Sequence, residues 1–179
     1  TWPTMKSIPS VQGHPVWGFA REFRKDPLHL AANLANANGG IVRLRILYRP
    51  LIAITDPAKK KVLAEIAGNQ KHIEQCPLYL CWITDMSRNS AIGQAERTEL
   101  KVMPWLETFL VASVDVALAA QNAVVAAESV GLGTVYIGAM RNDPERVAKL
   151  LGLPPQCFVL FGLCVGYSTE QAAGEVKPR

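Results

Sequence analysis

The stretch GLGTVYIGAMRN, residues 131–142, organises the second half of this sequence. A long apolar segment of helical character leads into it, and its YIGA core, residues 136–139, has the pattern of a buried strand that leads to a polar turn. Its glycines allow backbone amides to approach a ligand closely. The pattern therefore predicts a strand that ends at a binding site rather than at a simple turn.

The composition is that of an ordinary globular protein, since 49% of the 179 residues are hydrophobic and 19% are charged. Residues 1–61 contain ten Lys or Arg and three Asp or Glu, a balance of +7, which leaves nine of the 19 basic and twelve of the 15 acidic residues, −3, for the remainder. The basic part lacks interleaved aromatic residues, so we expect no nucleic-acid partner. No secretory signal pattern opens the sequence, and we expect a cytoplasmic protein.

Four cysteines, at positions 76, 81, 157 and 164, have neither zinc-ribbon nor Cys-x-x-Cys spacing, which predicts reduced thiols in the core. Both intervals, from Cys76 to Cys81 and from Cys157 to Cys164, are odd. On a strand, the members of each pair would therefore face opposite sides.

One segment, between Trp105 and Val130, is apolar enough to be compared with a membrane span. Polar residues interrupt it at positions 115, 121, 122 and 128, and they would be costly in hydrocarbon. The segment therefore predicts one long buried helix, covered by the core or by a dimer interface, and no membrane partner.

Proline, glycine and the apolar periodicity place the other elements along the chain. An Asp-Pro pair stands at the start of each of three predicted helices, which cover residues 28–36, 57–67 and 144–151. The predicted strands are a hairpin, 41–47 with 51–55, a strand covered on both faces, 78–83, and a final buried strand, 157–166. Residues 71–75 are predicted as a short turn or helix, 85–95 as a polar loop, and 96–130 as helical, with a break at Pro104 left open.

The spacing of polar residues reveals no catalytic constellation. The three histidines, His14, His29 and His72, stand alone, and no serine lies in a Gly-x-Ser-x-Gly elbow. No two carboxylates form a convincing acid and base pair. Residue spacing by itself therefore predicts no catalytic side chain and does not establish an enzyme.

Seven segments in the chain from residue 51 onward form an ordered set. They are ITD (54–56), GNQKHI (68–73), AAQNA (119–123), AAESVGLG (126–133), YIGAMRN (136–142), FGLCVG (161–166) and KPR (177–179). In their order and near spacing they resemble the oxygen-insensitive, flavin-dependent nitroreductases that use NADPH. The resemblance implies an α+β fold, a central sheet flanked by helices, and an intertwined homodimer with FMN at the subunit interface.

The resemblance also implies a reaction and a set of cofactor-binding residues. NADPH would give a hydride to the flavin, the oxidised nucleotide would leave, and a nitroarene or quinone would then take the electron pair. The implied cofactor-binding residues are Gln70, Tyr136, Ile137, Gly138, Ala139, Lys177 and Arg179. No catalytic side chain and no metal ligand is implied.

Each implied residue has a physical role in holding the flavin. Gln70 would hydrogen-bond it, and the backbone of residues 136–139 would lie against its ring. Lys177 and Arg179 would meet the pyrimidine edge and the phosphate, where fixed cations stabilise an anionic reduced ring and a phosphate dianion. Ala139 stands where the family has glycine and adds a methyl group near the ring.

Residues 1–50 lack the His-Arg-Ser-x-Arg motif with which that family holds the flavin phosphate. Residues 5–57 instead resemble the N-terminal lead, first helix and first hairpin of haem-thiolate monooxygenases, in IPSVQGHPVWG (8–18), FRKDPL (23–28) and GGIVRLR (39–45). The Glu-x-x-Arg and cysteine-ligand motifs of that family are absent, so we expect no haem. The sequence thus predicts a chimera, with a monooxygenase-like segment at 1–50 and a partial nitroreductase-like FMN domain at 51–179, packed as one compact unit.

Two hypotheses about function follow. The first is an FMN-dependent NADPH oxidoreductase that reduces nitroaromatics or quinones, with an affinity for FMN weakened by the missing phosphate motif. The second is a non-catalytic scaffold that keeps the dimer helix of the family without a working site.

Overall fold

The computed structural model describes residues 8–11, 25–46 and 49–169 of the chain. Its helices are α1 (Pro27–Ala37), α2 (Pro57–Ile66), α3 (Lys71–Gln75), α4 (Ser87–Ala95), α5 (Leu106–Ser129) and α6 (Pro144–Leu150). Its strands are β1 (Ile41–Ile46), β2 (Arg49–Ile54), β3 (Leu78–Asp85), β4 (Gly133–Ile137) and β5 (Cys157–Gly166), and a 3-10 helix, Gly138–Asn142, follows β4. The predicted α+β class is confirmed.

The five strands form one antiparallel sheet in the order β1-β2-β3-β5-β4. β1 and β2 are a hairpin in which Ile41 lies opposite Ile54. β3 lies at the centre, between β2 and β5, and its residues from Leu78 to Thr84 are all buried. The hairpin and the central strand covered on both faces are therefore as the apolar pattern predicts.

Helices cover both faces of the sheet, so that the fold has three layers. On one face, α1 and α5 pack against a cluster that includes Leu80, Trp82 and Leu163. On the other face, α2, α3 and α6 pack against a second cluster that includes Cys81 and Ile137. Because successive side chains of a strand point to opposite faces, a strand such as β3 contributes to both clusters.

β5 contains a β-bulge that corrects the prediction about its cysteines. The register with β3 skips one residue of β5 between Val159 and Phe161. One extra residue reverses the alternation of the side chains that follow it. Cys157 and Cys164 therefore lie in the same cluster on one face of the sheet, and the prediction that these two cysteines face opposite sides was wrong. All four cysteines are free thiols as predicted, with Cys76 half-buried and the others buried.

Three aspartates cap helices as the Asp-Pro pairs predict. The carboxylates of Asp26, Asp56 and Asp143 accept hydrogen bonds of 2.9–3.0 Å from backbone N–H groups in the first turns of α1, α2 and α6. These bonds satisfy donors that a helix start otherwise leaves without partners. At Asp56, a 2.9 Å hydrogen bond from Lys59 Nζ holds the pKa of the carboxyl below its ordinary value.

Two predictions between residues 85 and 105 were wrong. Residues predicted as a polar loop form α4, and the long helix begins only at Leu106. The carboxylate of Asp85, in β3, accepts hydrogen bonds from N (2.9 Å) and Oγ (2.6 Å) of Ser87 where α4 begins. Gly93 packs so closely that a Cβ there would lie 2.9 Å from Leu100. Contacts with the sheet, and with the loop that follows the helix, hold α4 in place. Apolar periodicity does not reveal such contacts.

α5 buries one face and exposes the other. Its small residues Ala112, Ala120 and Ala127 face the sheet, whereas Leu106 is 70% and Leu118 61% exposed. A long helix is present as predicted. The prediction that this helix is buried is correct only for its inner face. By length and composition α5 would also be able to cross a membrane. Because its inner face closes the core of this sheet, only the outer apolar face is left without cover.

Candidate functional site

β4 carries the stretch that the sequence singles out, and it lies at one edge of the sheet. Among the described residues β4 pairs only with β5, so its other edge presents backbone N–H and C=O groups that have no strand partner. The strand ends at Ile137, which is 2% exposed, and the 3-10 helix that follows is anchored by the fully buried Met140. A buried strand end with a free backbone edge therefore leads directly into the turn.

Tyr136 presents its ring on the face of the sheet that α5 covers. Its hydroxyl donates a 3.3 Å hydrogen bond to Oε1 of Gln121 in α5, and its ring lies edge-on to that of Phe161, with 5.1 Å between the ring centroids. Partial burial, and then the charge of Glu128, raise the pKa of the phenol. The hydroxyl therefore stays protonated, and Tyr136 is a fixed neutral donor whose ring remains partly exposed.

Gly138 leaves room for a cation beside the backbone of the turn. A Cβ at this position would lie 3.0 Å from Nη2 of Arg141. Arg141 is held there because its Nη1 donates a 2.7 Å hydrogen bond to the carbonyl of Leu160. Arg141 is three positions after Gly138, and three residues make one turn of a 3-10 helix. That spacing was the signal for Arg141 as a site residue, and sequence reasoning missed it.

The turn is tied to the end of α2, from which the chain continues to Gln70. Asn142 Nδ2 donates a 3.2 Å hydrogen bond to the carbonyl of Ile66, the last residue of α2. Gly68 and Asn69 then adopt left-handed conformations with φ of 79° and 61°. Gln70 follows them and is the N-cap residue of α3. The half-buried side chain of Gln70 makes no capping hydrogen bond to α3. The structure thus places the Gln70 loop and the 138–142 turn at the same end of α2.

The predicted cofactor-binding residues divide into two groups. Gln70, Tyr136, Ile137, Gly138 and Ala139 lie on the elements just described, with Ile137 and Ala139 packed into the second core cluster. Lys177 and Arg179 lie outside the described residues. Gln121, which orients Tyr136, has no signal in the sequence, because its helix meets β4 only in the folded chain.

The described groups suit a flat, hydrogen-bonding ring such as that of a flavin. The strand edge offers both donors and acceptors, Gln70 offers an uncommitted amide, and Tyr136 offers an aromatic surface with a fixed hydroxyl. At Gly138 the guanidinium of Arg141 lies where a side chain would stand, and it supplies a positive charge beside the main chain. A few polar groups on a mainly apolar wall are what a cofactor site requires. The residues present therefore fit the ring of FMN on one side.

A cavity of about 720 Å³ lies elsewhere, between the hairpin, the end of β3, α4 and the start of α5. Pro50, Met86, Trp105 and Val111 are among its lining residues, and none of the predicted cofactor-binding residues lines it. The free edge of β4 with its turn, and not this cavity, is the candidate site, because the five described residues of the predicted cofactor-binding set lie on β4, on its turn and just before α3. The resemblance implies a flavin site between two subunits, and one chain would supply only an open wall of such a site.

Comparisons with known proteins show the family to which this fold belongs. A family model described as the nitroreductase family matches residues 42–167 of the chain. An NADPH-flavin oxidoreductase of Vibrio harveyi is 42% identical over 153 residues, which cover 84% of this chain and 58% of that protein. An oxygen-insensitive NADPH nitroreductase of Salmonella typhimurium is 40% identical over 129 residues, which cover 72% of this chain and 51% of that protein.

The fold has matches among solved structures as well. The structure of B. megaterium NfrA1 has a TM-score of 0.69 at 34% identity, with 97% of this chain and 66% of that chain covered. The chain spans little more than half the length of the two curated relatives it is compared with above. The similarity therefore concerns the sheet and the helices around it, including β4 and its turn.

Proposed function

This chain belongs to the nitroreductase family, and from that premise we propose that it acts as an FMN-dependent oxidoreductase. NADPH would be the electron donor, and a nitroaromatic compound or a quinone the acceptor. The observation that carries the proposal is the wall formed by the free edge of β4, the 138–142 turn and the Gln70 loop. The names of the curated relatives, which specify NADPH, flavin and nitroreductase, support the same chemistry.

The residues of this chain would hold the ring and orient it. When bound, FMN supplies hydride and electron-pair transfer, which no side chain of the protein supplies. The backbone at Gly138 would hydrogen-bond the edge of the ring, the amide of Gln70 would bind a second edge, and Tyr136 would remain a neutral donor. Arg141, fixed by its bond to Leu160, would favour the ring when it carries negative charge.

From the resemblance of the KPR segment, we place Lys177 and Arg179 at the pyrimidine edge and the phosphate of FMN. The His-Arg-Ser-x-Arg motif that the family adds at the phosphate has no counterpart in residues 1–50. Charge-assisted hydrogen bonds to a phosphate are strong, and losing several of them weakens binding. We therefore propose an affinity for FMN that is lower than the family norm.

We further propose a homodimer joined through the outer face of α5. Leu106, Leu110, Val114 and Leu118 are each at least half exposed in the single chain and lie on the same helix. An apolar face of this size on a helix indicates an interface, because soluble monomers rarely leave such a face in water. A second copy would present the same face, as a two-fold symmetric interface requires, and it would also supply the other wall of the flavin site.

A second candidate is a scaffold that dimerises but has no working site. The exposure of Val135 and Tyr136, 50% and 43%, favours it, because one chain leaves this wall open to water. An open wall that no partner completes would hold flavin too weakly for turnover. This candidate predicts a dimer without FMN.

An absorbance experiment separates the two candidates. The purified chain is titrated with FMN, excess FMN is removed, and the bound flavin is recorded between 350 and 500 nm, roughly the range where oxidised flavins absorb. NADPH is then added without oxygen, followed by a nitroarene. Oxidoreductase function requires stoichiometric flavin, loss of its visible absorbance with NADPH, and recovery with the nitroarene. A colourless protein at saturating FMN would overturn the proposal and favour the scaffold.

A further inference from the structure

Two thiols that are not assigned to the flavin lie close to the end of α3. Cys76 follows α3 directly, with its N–H bonded to the carbonyl of His72, and its Sγ lies 3.2 Å from the carbonyl of Ile73. Cys164, in β5, has its Sγ 3.8 Å from the carbonyl of His72. The two sulfur atoms therefore lie at the carbonyls of two successive residues, Ile73 and His72, at the same end of α3. Both thiols are free, and both side chains pack in or against the second core cluster.

The backbone brings these two cysteines together through the pairing of β3 with β5. Leu78, two residues after Cys76, lies opposite Val165, and Tyr79 lies opposite Cys164. The start of β3 and the end of β5 are thus neighbours, so the proximity of Cys76 and Cys164 follows from the sheet register. It does not depend on a chance arrangement of surface side chains.

Lys60 in α2 places a positive charge beside the pair. Its Nζ donates hydrogen bonds to the carbonyls of Cys76 (2.6 Å) and Glu74 (3.0 Å), and the side chain is 6% exposed. Carbonyls at a helix end carry partial negative charge and disfavour a thiolate nearby. By bonding two of these carbonyls, Lys60 offsets that effect. Hydrogen bonding with the neighbouring Cys164 thiol lowers the pKa of the Cys76 thiol, and the charge of Lys60 lowers it further. Burial raises this pKa, but the net direction is downward.

The two thiols differ in access to solvent. Cys76 is half-buried, whereas Cys164 is 6% exposed and packed in the second core cluster. Hydrogen bonding to Cys76 and burial raise the pKa of Cys164. Cys81 is fully buried, and burial raises its pKa as well. Cys76 is thus a nucleophile that solvent can reach, and Cys164 is a buried second thiol close to it. A reactive and a resolving cysteine have this arrangement.

We propose that Cys76 and Cys164 form a dithiol that hydrogen peroxide oxidises to a disulfide. The thiolate of Cys76 attacks one oxygen of the peroxide, the O–O bond breaks, and hydroxide leaves and takes up a proton to become water. Cys76 is then a sulfenic acid. Cys164 loses its proton and attacks this sulfur, the S–O bond breaks, the S–S bond forms, and a second water leaves. Two thiols lose two electrons and two protons, and one peroxide becomes two waters.

This oxidation site goes beyond the proposed flavin function and does not depend on it. Cys76 and Cys164 would react whether or not FMN binds. The crosslink would join the end of α3 to β5, and Gln70 directly precedes the other end of α3. The test therefore reads the thiols themselves and not the activity of a loaded enzyme.

The experiment counts and maps thiols in the full chain. Reduced protein is desalted, treated with a few equivalents of hydrogen peroxide, denatured, and titrated with Ellman's reagent. We expect two of the four thiols to be lost. Peptide mass spectrometry without reductant is expected to find the Cys76 and Cys164 peptides joined within one chain. Retention of all four thiols, or a disulfide that uses another cysteine or a second chain, would overturn the proposal.

Variants test the order of the two steps. Cys76→Ser is expected to keep its three remaining thiols under the same treatment. Cys164→Ser is expected to stop at a sulfenic acid on Cys76, which dimedone traps as an adduct. The matched control is Cys157→Ser, since Cys157 bonds to Asp85 and not to the pair, and it is expected still to lose two thiols. If Cys164→Ser fails to fold by circular dichroism, Cys76→Ser and the map of the unaltered chain decide the proposal by themselves.

Discussion

Gly162 in β5 leaves the space that the ring of Tyr79 in β3 occupies. A Cβ at position 162 would overlap the hydroxyl oxygen of Tyr79. That hydroxyl is buried and has no hydrogen-bond partner among the described residues, and burial raises the pKa of the phenol well above its ordinary value. A neutral hydroxyl without a partner lowers stability. The close approach of β3 and β5 at this point therefore depends on a glycine.

We expect Gly162→Ala to lower the free energy of unfolding by about 2 kcal/mol or more, because the added methyl group forces the ring of Tyr79 to move. In a Tyr79→Leu background the same substitution should cost less, since leucine ends before the overlap. Urea unfolding of the four proteins in a double-mutant cycle measures the difference. An equal cost of Gly162→Ala in both backgrounds would contradict this account.

Gln70 offers a direct test of the flavin wall. We expect Gln70→Ala to weaken FMN binding by about three- to tenfold, the range for loss of one hydrogen bond. Fluorescence quenching of FMN measures the affinity. Gln75→Ala is the matched control, because Gln75 is exposed at the other end of the same short helix. A similar effect at both positions would mean that helix stability, and not contact with FMN, sets the affinity.

The reactivity of Cys76 should depend on pH in a defined direction. Only the thiolate is alkylated by iodoacetamide, so the rate rises with pH and levels off above the pKa. Because the pKa of Cys76 is lowered in the fold, the midpoint should lie below that of the same cysteine in the denatured chain. Cys164→Ala removes the hydrogen bond to Cys76 and should shift the midpoint upward. Mass spectrometry follows the Cys76 peptide, and an unchanged midpoint in Cys164→Ala would refute the role of that bond.

α5 shows how one helix serves two surfaces. Its inner face consists of four alanines and two valines that pack on the sheet, and its three leucines and its other valines are exposed on the outer side. The apolar residues are spread all round the helix, so its sequence pattern does not distinguish a helix buried in one chain from a helix shared by two. Packing against the sheet decides which side is inner, and that side carries the smaller residues.

We expect Leu118→Lys to shift the chain from dimer to monomer, since a charge placed at a symmetric interface meets its own copy. Sedimentation velocity at several concentrations measures the mass. Lys61→Glu is the control, because Lys61 is exposed on α2, on the opposite face of the sheet. A monomer for the unaltered chain at all concentrations would remove the proposed interface.

The described residues form a single sheet with helices on both faces. In this sheet Cys164 lies on β5, the strand that pairs with β4 of the flavin wall. The β1–β2 hairpin belongs to this sheet, and the family match begins at residue 42, within β1. The division at residue 50 and the monooxygenase-like origin of residues 1–50 stay predictions. The weakened binding of the phosphate of FMN also stays a prediction.

The whole chain should be stabilised by flavin in proportion to the affinity. At a ligand concentration of about 100 times Kd, binding adds about 2.7 kcal/mol, which raises Tm by about 5–10 °C for a chain of this size. We expect riboflavin, which lacks the phosphate, to stabilise less than FMN at equal concentration, but only by a few degrees, because the KPR segment would still meet the phosphate whereas residues 1–50 lack the family's phosphate motif. Differential scanning fluorimetry measures both. A shift with FMN that is many times larger than with riboflavin would contradict the weakened phosphate site.

The sequence by itself determined the class of fold, most of the elements and the stretch that forms the wall. Helix caps, apolar runs and glycine turns act over a few residues, and Asp26, Asp56 and Asp143 behave as their neighbours predict. Resemblance then supplied the cofactor and the candidate residues, which periodicity does not specify. No local signal identified α4, because its first turn depends on Asp85 at the end of a strand.

Only the tertiary structure decided which distant groups meet. Asn142 reaches the carbonyl of Ile66 across 76 positions, and Cys164 lies beside the end of α3, 92 positions after His72. A single bulge in β5 moved Cys164 to the same face as Cys157. Such contacts follow from strand register and helix packing, where one inserted residue reverses every side chain beyond it. Spacing along the chain does not contain that information, because the register is set by the whole core.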